Sequence, residues 1–444
     1  MTGAKQGPSA SDGSTSPAVD VFIRQLTGIR FVAAAWVVLY HFQVPLVTLG
    51  LLVPPMLDVI RVGRLGVDLF FALSGFILTH TYLSRLGPAT RMRATMRFWW
   101  LRLARVYPVH LVMTVVAGAA ALAWARLSGS PLDSWLNPFD LARNLLLVQE
   151  WGPSPQRGWN FVAWSLSMEW LAYLIFPLLV LLLWRLHRGT RTWILVVSWI
   201  LVLVPLVVFG LTTTDPYYTD AWGSTIRILT EFTAGALTYL VVVRLLPSST
   251  LHNSAPKRTQ RWADQLSWIL PALVVAGAVA LGSWAPAQPI QDNSGSLIEQ
   301  VPPYYHLLLV PLLVAWIGAL AVSRGPIARL LSTRLLVLGG FISYALYMTH
   351  LVWYGLWRAA TDYLGINGGP RYFAATAALF AGALVIAWLM WHVVEEPARE
   401  WMRGRIGTRR TPTEEAGETI AEEGINVMGT GSVEVPTTAE ERLR

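Results

Sequence analysis

Long uninterrupted apolar segments constrain this sequence more than any other feature. A transmembrane helix needs about 20 mostly apolar residues to cross the roughly 30 Å hydrocarbon layer of a bilayer. Segments near that length recur along the 444-residue sequence, which is 54% hydrophobic and only 14% charged. About a quarter of the residues in a typical soluble domain carry a charge. The sequence therefore predicts an all-α, polytopic membrane protein.

Ten segments are long and apolar enough to be predicted as spanning helices. They lie near 29–53, 66–84, 106–126, 162–184, 192–212, 223–243, 266–284, 305–323, 335–357 and 373–394. We found no internal repeat among them, so 25–400 is treated as one transmembrane domain. The flanking segments 1–24 and 401–444 are rich in small and polar residues and are predicted to be disordered tails. The first of them lacks the pattern of a cleaved signal peptide.

Positive charge is concentrated in alternate connections between the predicted helices. Lys or Arg residues occur in 85–105, 185–191, 244–261 and 324–334, whereas 213–221 and 285–304 carry only acidic charges. Cytoplasmic loops of membrane proteins are enriched in Lys and Arg. The alternation predicts that both termini are cytoplasmic and that the protein resides in the cytoplasmic (plasma) membrane. The net charge of +8 has the same origin, so no nucleic-acid partner is expected.

The first predicted helix carries two ionisable residues, Arg30 and His41, in the segment RFVAAAWVVLYH. Eleven residues correspond to about 1,100° of helix rotation, so the two share one face. They are separated by about 16 Å along the helix axis. An arginine near a helix end can reach the interface, which leaves a structural explanation for Arg30 open. A histidine deeper in the membrane usually marks a functional site, and we interpret His41 in this way.

Three more predicted helices place polar side chains inside the membrane. They carry Asp68 and Ser74 (GVDLFFALSGF), Trp164, Ser165 and Glu169 (WSLSMEW), and Tyr347 and His350 (ISYALYMTHL). A buried carboxylate such as Glu169 must be paired, protonated or hydrated, which makes it a candidate general base or a partner for a histidine. Asp68 could also be a solvated charge at a helix end. Arg227 and Glu231, four residues apart, are predicted to form a structural ion pair. No function is inferred for the four histidines nearer helix ends, His80, His110, His306 and His392.

The connection after the second helix is both cationic and aromatic. In RFWWLRLARVYP, Arg97, Arg102 and Arg105 are interleaved with aromatic residues. Such a segment suits an interfacial amphipathic helix on anionic lipid. It also suits a site for a phosphorylated cytosolic ligand, because arginine binds phosphate bidentately and an aromatic face stacks on a base. Both interpretations stay open at this point.

Several catalytic motifs are absent from the sequence. It has no cysteine, no GxxxxGK[ST], HExxH, GxSxG or HxxxxD motif, and no Cys/His cluster. These absences exclude a recognisable ATPase, zinc protease or α/β-hydrolase, as well as a cysteine-linked acyl intermediate. No metal site is predicted.

Seven motifs occur in the order found in one known family. They are Arg30-x10-His41, GVDLFFALSGF (66–76), RLARVYP (102–108), WSLSME (164–169), EFTAG (231–235), ISYALYMTH (342–350) and EEP (395–397). On these motifs, which run from about residue 24 to residue 400, the sequence resembles the membrane-bound acyltransferase family 3. The cationic motif is incomplete, because Leu101 replaces the first arginine of the family pattern RRxxRxxP.

The resemblance implies an acyl-CoA-dependent O-acyltransferase that moves an acyl group, commonly acetyl, to a hydroxyl of a sugar, glycan or glycosylated small molecule. Acyl-CoA would be a co-substrate, and no resident cofactor is implied. Arg30 and His41 correspond to the essential pair of the family, and the segment with Arg97, Arg102 and Arg105 would help to bind the donor. Some members carry an additional extracytoplasmic hydrolase-like domain that this sequence lacks, so a protein partner for acceptor delivery is left open.

Residues and resemblance together suggest a mechanism. Arg30 would hold the donor phosphate or carbonyl at the inner mouth, and His41 would either take the acceptor proton or carry the acyl group. Glu169 would orient the imidazole or compensate the charge of the imidazolium. The predicted pocket lining comprises Asp68, Ser74, Trp164, Ser165, Tyr347 and His350. The alternative is a transporter or flippase of a glycan or lipid-linked substrate without acyl chemistry, because ten helices with buried charges suit that function equally well.

Overall fold

A computed structural model describes the larger part of the chain. The described residues are 23–88, 91–129, 136–152, 159–213, 222–246, 256–284, 288–291, 297–300 and 305–406. The predicted tails, 1–24 and 401–444, lie almost entirely outside these residues.

Fifteen α-helices follow one another along the described residues. They are α1 (Arg24–His41), α2 (Gln43–Thr48), α3 (Pro54–Arg61), α4 (Leu65–Leu86), α5 (Met92–Ser128), α6 (Pro138–Leu145), α7 (Ala163–Gly189), α8 (Thr192–Thr212), α9 (Gly223–Leu245), α10 (Lys257–Trp284), α11 (Val310–Val322), α12 (Pro326–Leu331), α13 (Arg334–Tyr363), α14 (Gly369–Met390) and α15 (Glu396–Gly404). Two short antiparallel strands, β1 (Gln288–Gln291) and β2 (Leu297–Gln300), lie between α10 and α11. A 3-10 turn (Tyr305–Leu309) precedes α11, and a π turn (Trp391–Glu395) joins α14 to α15.

All ten predicted spans coincide with a helix. Among the described residues, eight helices are long and apolar enough to cross a membrane. The two predicted spans outside that set are α1, with 18 residues, and the shorter apolar helix His306–Val322. The chain is therefore a multi-pass, helical membrane protein, while the total of ten spans and the cytoplasmic termini stay predictions.

The first span ends earlier than its apolar run predicts. The run continues to residue 53, but α1 ends at His41, and the chain leaves helical geometry at Phe42 (φ −96°, ψ 16°) before entering α2. Pro45 has no backbone N–H to donate to the carbonyl of His41, which weakens a regular helix at this point. His41 consequently lies in the last turn of α1, beside a break in the backbone.

The cationic segment lies on a helix instead of in a connection. Helix α5 runs for 37 residues from Met92, so Arg97, Arg102 and Arg105 share one helix with the span that follows. The prediction of a connection up to residue 105 is wrong from residue 92 onward. Arginine is a good helix former. The fall in hydropathy therefore reflects a cationic N-terminal half of α5, and the helix begins earlier than hydropathy predicts. Pro108 lies within the helix and removes one backbone hydrogen bond without ending it.

Two glycines allow α4 and α9 to approach closely. A Cβ atom built at Gly75 would lie 1.9 Å from the carbonyl oxygen of Phe232, and one at Gly235 would lie 1.9 Å from that of Ala72. Contacts between small residues are typical of membrane helices, whose association depends on close packing. This contact brings the polar side chains of α4 and α9 together. Helix α1 packs against α4, α12 and α13.

Candidate active site

Two histidines from distant parts of the sequence meet where α1 breaks. Nδ1 of His41 lies 3.0 Å from Nε2 of His350 on α13, and the ring centroids are 4.9 Å apart. His350 is fully buried, whereas His41 is only partly buried. The pair therefore has an inner member enclosed by protein and an outer member that remains accessible.

Backbone carbonyls define which nitrogen of each ring carries hydrogen. Nδ1 of His41 lies 3.0 Å from the carbonyl oxygen of Val37, and Nδ1 of His350 lies 2.7 Å from that of Tyr347. A carbonyl oxygen can only accept, so in the neutral rings both Nδ1 atoms are assigned as donors. Nε2 of His350 is then an acceptor for Nδ1–H of His41. This assignment satisfies all three contacts and leaves the lone pair on Nε2 of His41 available.

Tyr347 connects the histidine pair to α7. Its ring centroid lies 5.8 Å from that of His350. Ser165 donates to the Tyr347 hydroxyl at 2.8 Å, and this hydroxyl donates to the carbonyl of Val162 at 3.1 Å. Both residues were predicted to line the pocket. The structure shows that they form a hydrogen-bonded link between α7 and α13 behind the buried histidine.

A second polar cluster surrounds Arg30, six residues into α1. Its guanidinium interacts electrostatically with Glu169, Glu395 and Arg105, and it lies over the ring of Phe70 at 5.8 Å. Arg30, Arg105 and Glu169 are each partly accessible. Among the described residues, neither arginine has a hydrogen bond or a close ion pair. Two guanidinium groups with unused donors therefore lie near each other within the helical bundle.

Glu169 belongs to the Arg30 cluster. Its carboxylate accepts a hydrogen bond from Ser74 at 2.6 Å and another from the hydroxyl of Tyr173. The sequence predicted Glu169 as the residue that orients His41, but the side-chain hydrogen bond of His41 is to His350. The side-chain partner of His41 is therefore His350 instead of Glu169, whereas Ser74 and Glu169 are hydrogen-bonded to each other.

The three arginines of the cationic segment have different surroundings. Arg97 is exposed near the start of α5. Arg102 lies over the ring of Tyr82 at 5.8 Å, and Arg105 is the one within electrostatic range of Arg30. The three side chains thus lead from the surface of the bundle toward the Arg30 cluster.

The two clusters lie on the same helix at different depths. The eleven residues between Arg30 and His41 rise about 16 Å along α1, close to half the thickness of the hydrocarbon layer. Since α1 is helical from Arg24 to His41, the predicted shared face and separation hold. One end carries unpaired cationic donors, and the other carries an imidazole with a free lone pair.

Asp68 forms a fully buried ion pair with Arg227 of α9. Nε and Nη2 of Arg227 donate to its Oδ1 at 2.9 and 2.8 Å, and the two side chains are 0% and 1% exposed. The solvated-charge interpretation of Asp68 is therefore wrong. The hydrogen bonds of Arg227 go to α4, whereas Glu231, its partner predicted from the sequence, is fully buried and interacts electrostatically with both Arg227 and Asp68. Trp164 contacts this pair, because Arg227 lies 5.1 Å from its ring centroid.

Two of the histidines for which no function was inferred from the sequence are buried. His110 is fully enclosed in α5, and its Nε2 lies 2.8 Å from the carbonyl of Asn144. His306 is 1% exposed. Their positions near apparent helix ends suggested interfacial residues. That expectation failed because sequence hydropathy does not reveal which segments fold back over the bundle. No cluster of three or more possible metal ligands occurs within the described residues.

The family assignment rests on a comparison with protein-family models. Residues 23–392 match the model of the acyltransferase domain named Acyl_transf_3, which is more than half of the chain. The chain belongs to the acyltransferase-3 family. The matched range contains Arg30, His41 and His350, and it ends three residues before Glu395. Membership in this family favours acyltransferase chemistry over the transporter alternative.

Relatives of this acyltransferase-3 protein carry consistent names. It is 26% identical to the acyltransferase MdmB of Streptomyces mycarofaciens over 426 residues, which cover 91% of this chain and 97% of the relative. It is 23% identical to the peptidoglycan O-acetyltransferase OatA of Listeria monocytogenes over 397 residues, covering 85% of this chain and 56% of the relative. The chain thus spans nearly all of the first relative and about half the length of the second. No solved structure matches it significantly.

Proposed function

We propose that this protein transfers an acyl group, acetyl in the simplest case, from acyl-CoA to a hydroxyl of a sugar, glycan or glycosylated small molecule. The observation that carries the proposal is the arrangement of α1, with unpaired arginine donors at one end and the His41–His350 pair at the other. The relatives support this class of acceptor, since OatA is named as a peptidoglycan O-acetyltransferase. A plasma-membrane location with the cationic connections facing the cytosol completes the proposal.

The donor would lie along α1. Arg30 and Arg105 have unused donors suited to phosphate oxygens, which arginine binds through charge-assisted hydrogen bonds. The pantetheine arm is extended, so phosphates near these arginines would present the thioester close to His41. Arg102 and Arg97, which precede Arg105 on α5, would attract the nucleotide from the cytosol.

His41 would act as the general base. Its Nε2 takes the proton from the acceptor hydroxyl as the oxygen attacks the thioester carbonyl, so the new C–O bond forms while the C–S bond breaks. The departing thiolate receives the same proton from His41, giving the ester and free CoA. While His41 is protonated, its Nδ1–H donates to Nε2 of His350, which disperses the positive charge. Glu169, fixed by Ser74 and Tyr173, would offset the charge of Arg30 when no donor is bound.

The direct test uses purified full-length protein in lipid nanodiscs with radiolabelled acetyl-CoA, following free CoA and label on an added sugar acceptor. We expect slow CoA release that an acceptor accelerates, and a loss of about 10²- to 10⁴-fold in His41→Ala, the usual contribution of a general base. His187→Ala, at the end of α7, is the matched histidine control. Label retained on the wild-type polypeptide would replace the general base with an acyl-histidine. An inactive wild type with several acyl-CoA donors and acceptors would contradict the proposal.

A further inference from the structure

An apolar groove opens between α8, α9, α10 and α11. Its volume is about 300 Å³, at the lower limit of pockets that bind small molecules. Aliphatic and aromatic side chains form its walls, with two threonines among them; they include Val196, Trp199, Val242, Trp262, Ala315 and Gly318. None of these residues belongs to the two clusters along α1.

The polar groups in the wall of this groove already have partners. The indole nitrogen of Trp199 donates to the hydroxyl of Thr238 at 2.8 Å. That hydroxyl in turn donates to the carbonyl of Ala234 at 2.8 Å. An occupant therefore gains nothing from hydrogen bonds in this part of the wall. Burial of apolar surface is the interaction that the groove offers, which suits a hydrocarbon chain.

Exposed cationic residues lie at the end of the four helices where the groove opens. The groove is lined by the N-terminal parts of α8 and α10 and by the C-terminal parts of α9 and α11. Lys257, Arg258 and Arg261 begin α10 and are exposed, flanking the groove residues Thr259 and Trp262. Among the described residues these three cations have no ion pair.

Cationic residues outnumber acidic residues in the segment 247–264. The connection from α9 to α10, 247–255, contains no Asp or Glu. The nearby Asp264 is fixed against the turn between α11 and α12, where its Oδ1 accepts hydrogen bonds from the Ser323 hydroxyl and from the backbone N–H groups of Arg324 and Gly325. The groove mouth thus combines an apolar cleft with a cluster of exposed cations.

Exposed tryptophans locate this end at a membrane surface. Trp193 and Trp262 are 62% and 58% exposed and lie in the first turns of α8 and α10. Tryptophan is enriched where a membrane meets water. A molecule with its chain in the groove would have its head group at this interface, level with the cations of α10.

We propose that the groove is a binding site for an anionic phospholipid, with one acyl chain between α8, α9, α10 and α11 and the head-group phosphate on Lys257, Arg258 and Arg261. Cationic pockets between transmembrane helices are suited to anionic head groups. The chain supplies apolar burial, and the cations select the charge of the head group. A phospholipid is favoured over a protein segment because the cleft is narrow, apolar and open at the membrane surface.

The test measures lipid retained by the purified full-length protein after detergent exchange, using phosphatidylglycerol and phosphatidylcholine with identical acyl chains. Wild type should retain phosphatidylglycerol preferentially. Arg258→Gln/Arg261→Gln should weaken its retention by about 25-fold, taking each cation near an anionic surface as worth about fivefold in affinity. Ala315→Phe, which fills the groove, should reduce retention of both lipids.

Two controls match these variants. Arg93→Gln/Arg371→Gln removes two exposed charges elsewhere, and Ala378→Phe adds an aromatic ring on an exposed face of α14; both should retain lipid as wild type does. Equal retention of the two lipids by wild type would overturn the proposal. Loss in the arginine variant without loss in Ala315→Phe would also overturn it, since this indicates surface attraction without a groove. Stronger retention of a polyprenyl phosphate than of phosphatidylglycerol would assign the site to a different lipid.

Discussion

His350 accepts a hydrogen bond from His41 across a gap of 3.0 Å, although 309 residues separate the two in the sequence. The inner histidine is itself fixed by the carbonyl of Tyr347, so the outer ring has one neutral tautomer compatible with its neighbours. A buried histidine that holds another in a defined tautomer is a positioning residue. Its contribution to catalysis can therefore be separated from that of the base.

His350→Ala should lower kcat by about 10²-fold, toward the lower end of the general acid–base range, with KM for acyl-CoA little changed. The reason is that Nδ1–H of His41 keeps only the carbonyl of Val37 as an acceptor, so the ring is held less firmly and the charge of the protonated imidazole is no longer shared with His350. Steady-state kinetics of CoA release at several donor concentrations give both constants.

The combination with His41→Ala makes this prediction specific. Residues that act as a unit are strongly non-additive, so the double variant should be about as inactive as His41→Ala alone. If the two losses multiplied instead, His350 would contribute independently of His41.

Arg105→Gln should raise KM for acyl-CoA by about tenfold or more while changing kcat little. A hydrogen bond to a charged group is worth about 1.5–3 kcal/mol, and Arg105 has unused donors near Arg30. Isothermal calorimetry with a non-hydrolysable acyl-CoA analogue measures the binding directly. Arg93→Gln, an exposed arginine on the same helix, serves as the control. A fall in kcat at unchanged donor affinity would place Arg105 in the chemical step.

Asp68→Ala should destabilise the protein by about 3–5 kcal/mol, because breaking a buried ion pair is strongly destabilising and Arg227 loses both of its hydrogen bonds to Asp68. Asp68→Leu/Arg227→Leu should recover much of this loss, since replacement of a buried ion pair by apolar residues is often close to neutral. Thermal unfolding in detergent, followed by tryptophan fluorescence, ranks the three proteins. A double variant as unstable as Asp68→Ala would show that the pair supports the fold through other contacts.

The sequence predicted correctly the features that depend on residue spacing within a single helix. Each of the ten segments that hydropathy predicted coincides with a helix, and helical periodicity placed Arg30 and His41 on one face. Periodicity along α13 also brought His350 to mid-span, as a residue of the pocket. These properties depend on spacing within one element, which the sequence records directly.

Side-chain contacts between different helices could not be predicted from spacing within one helix. The partner of His41 depends on how α1 packs against α13, and the partner of Arg227 depends on how α9 packs against α4. In the second case the local pairing with Glu231 was the natural expectation, but the close approach of two helices offered Asp68 as a hydrogen-bond acceptor instead. The end of α1 at His41 was also missed, although Pro45 signals it, because apolar residues continue on both sides.

The contact between α4 and α9 can itself be tested with one methyl group. Gly75→Ala should destabilise the protein by about 1–3 kcal/mol, the usual cost of overpacking, because its Cβ would lie 1.9 Å from the carbonyl oxygen of Phe232. Helix propensity acts in the opposite direction, favouring alanine by about 1 kcal/mol, but a backbone oxygen cannot rotate away, so the clash prevails. Gly355→Ala on α13, where a Cβ would meet no atom within 4 Å, should be neutral or slightly stabilising. Thermal unfolding of the two variants separates the effect of the clash from the effect of helix propensity. Equal stability would mean that Gly75 lies farther from the carbonyl oxygen of Phe232 than the structure places it.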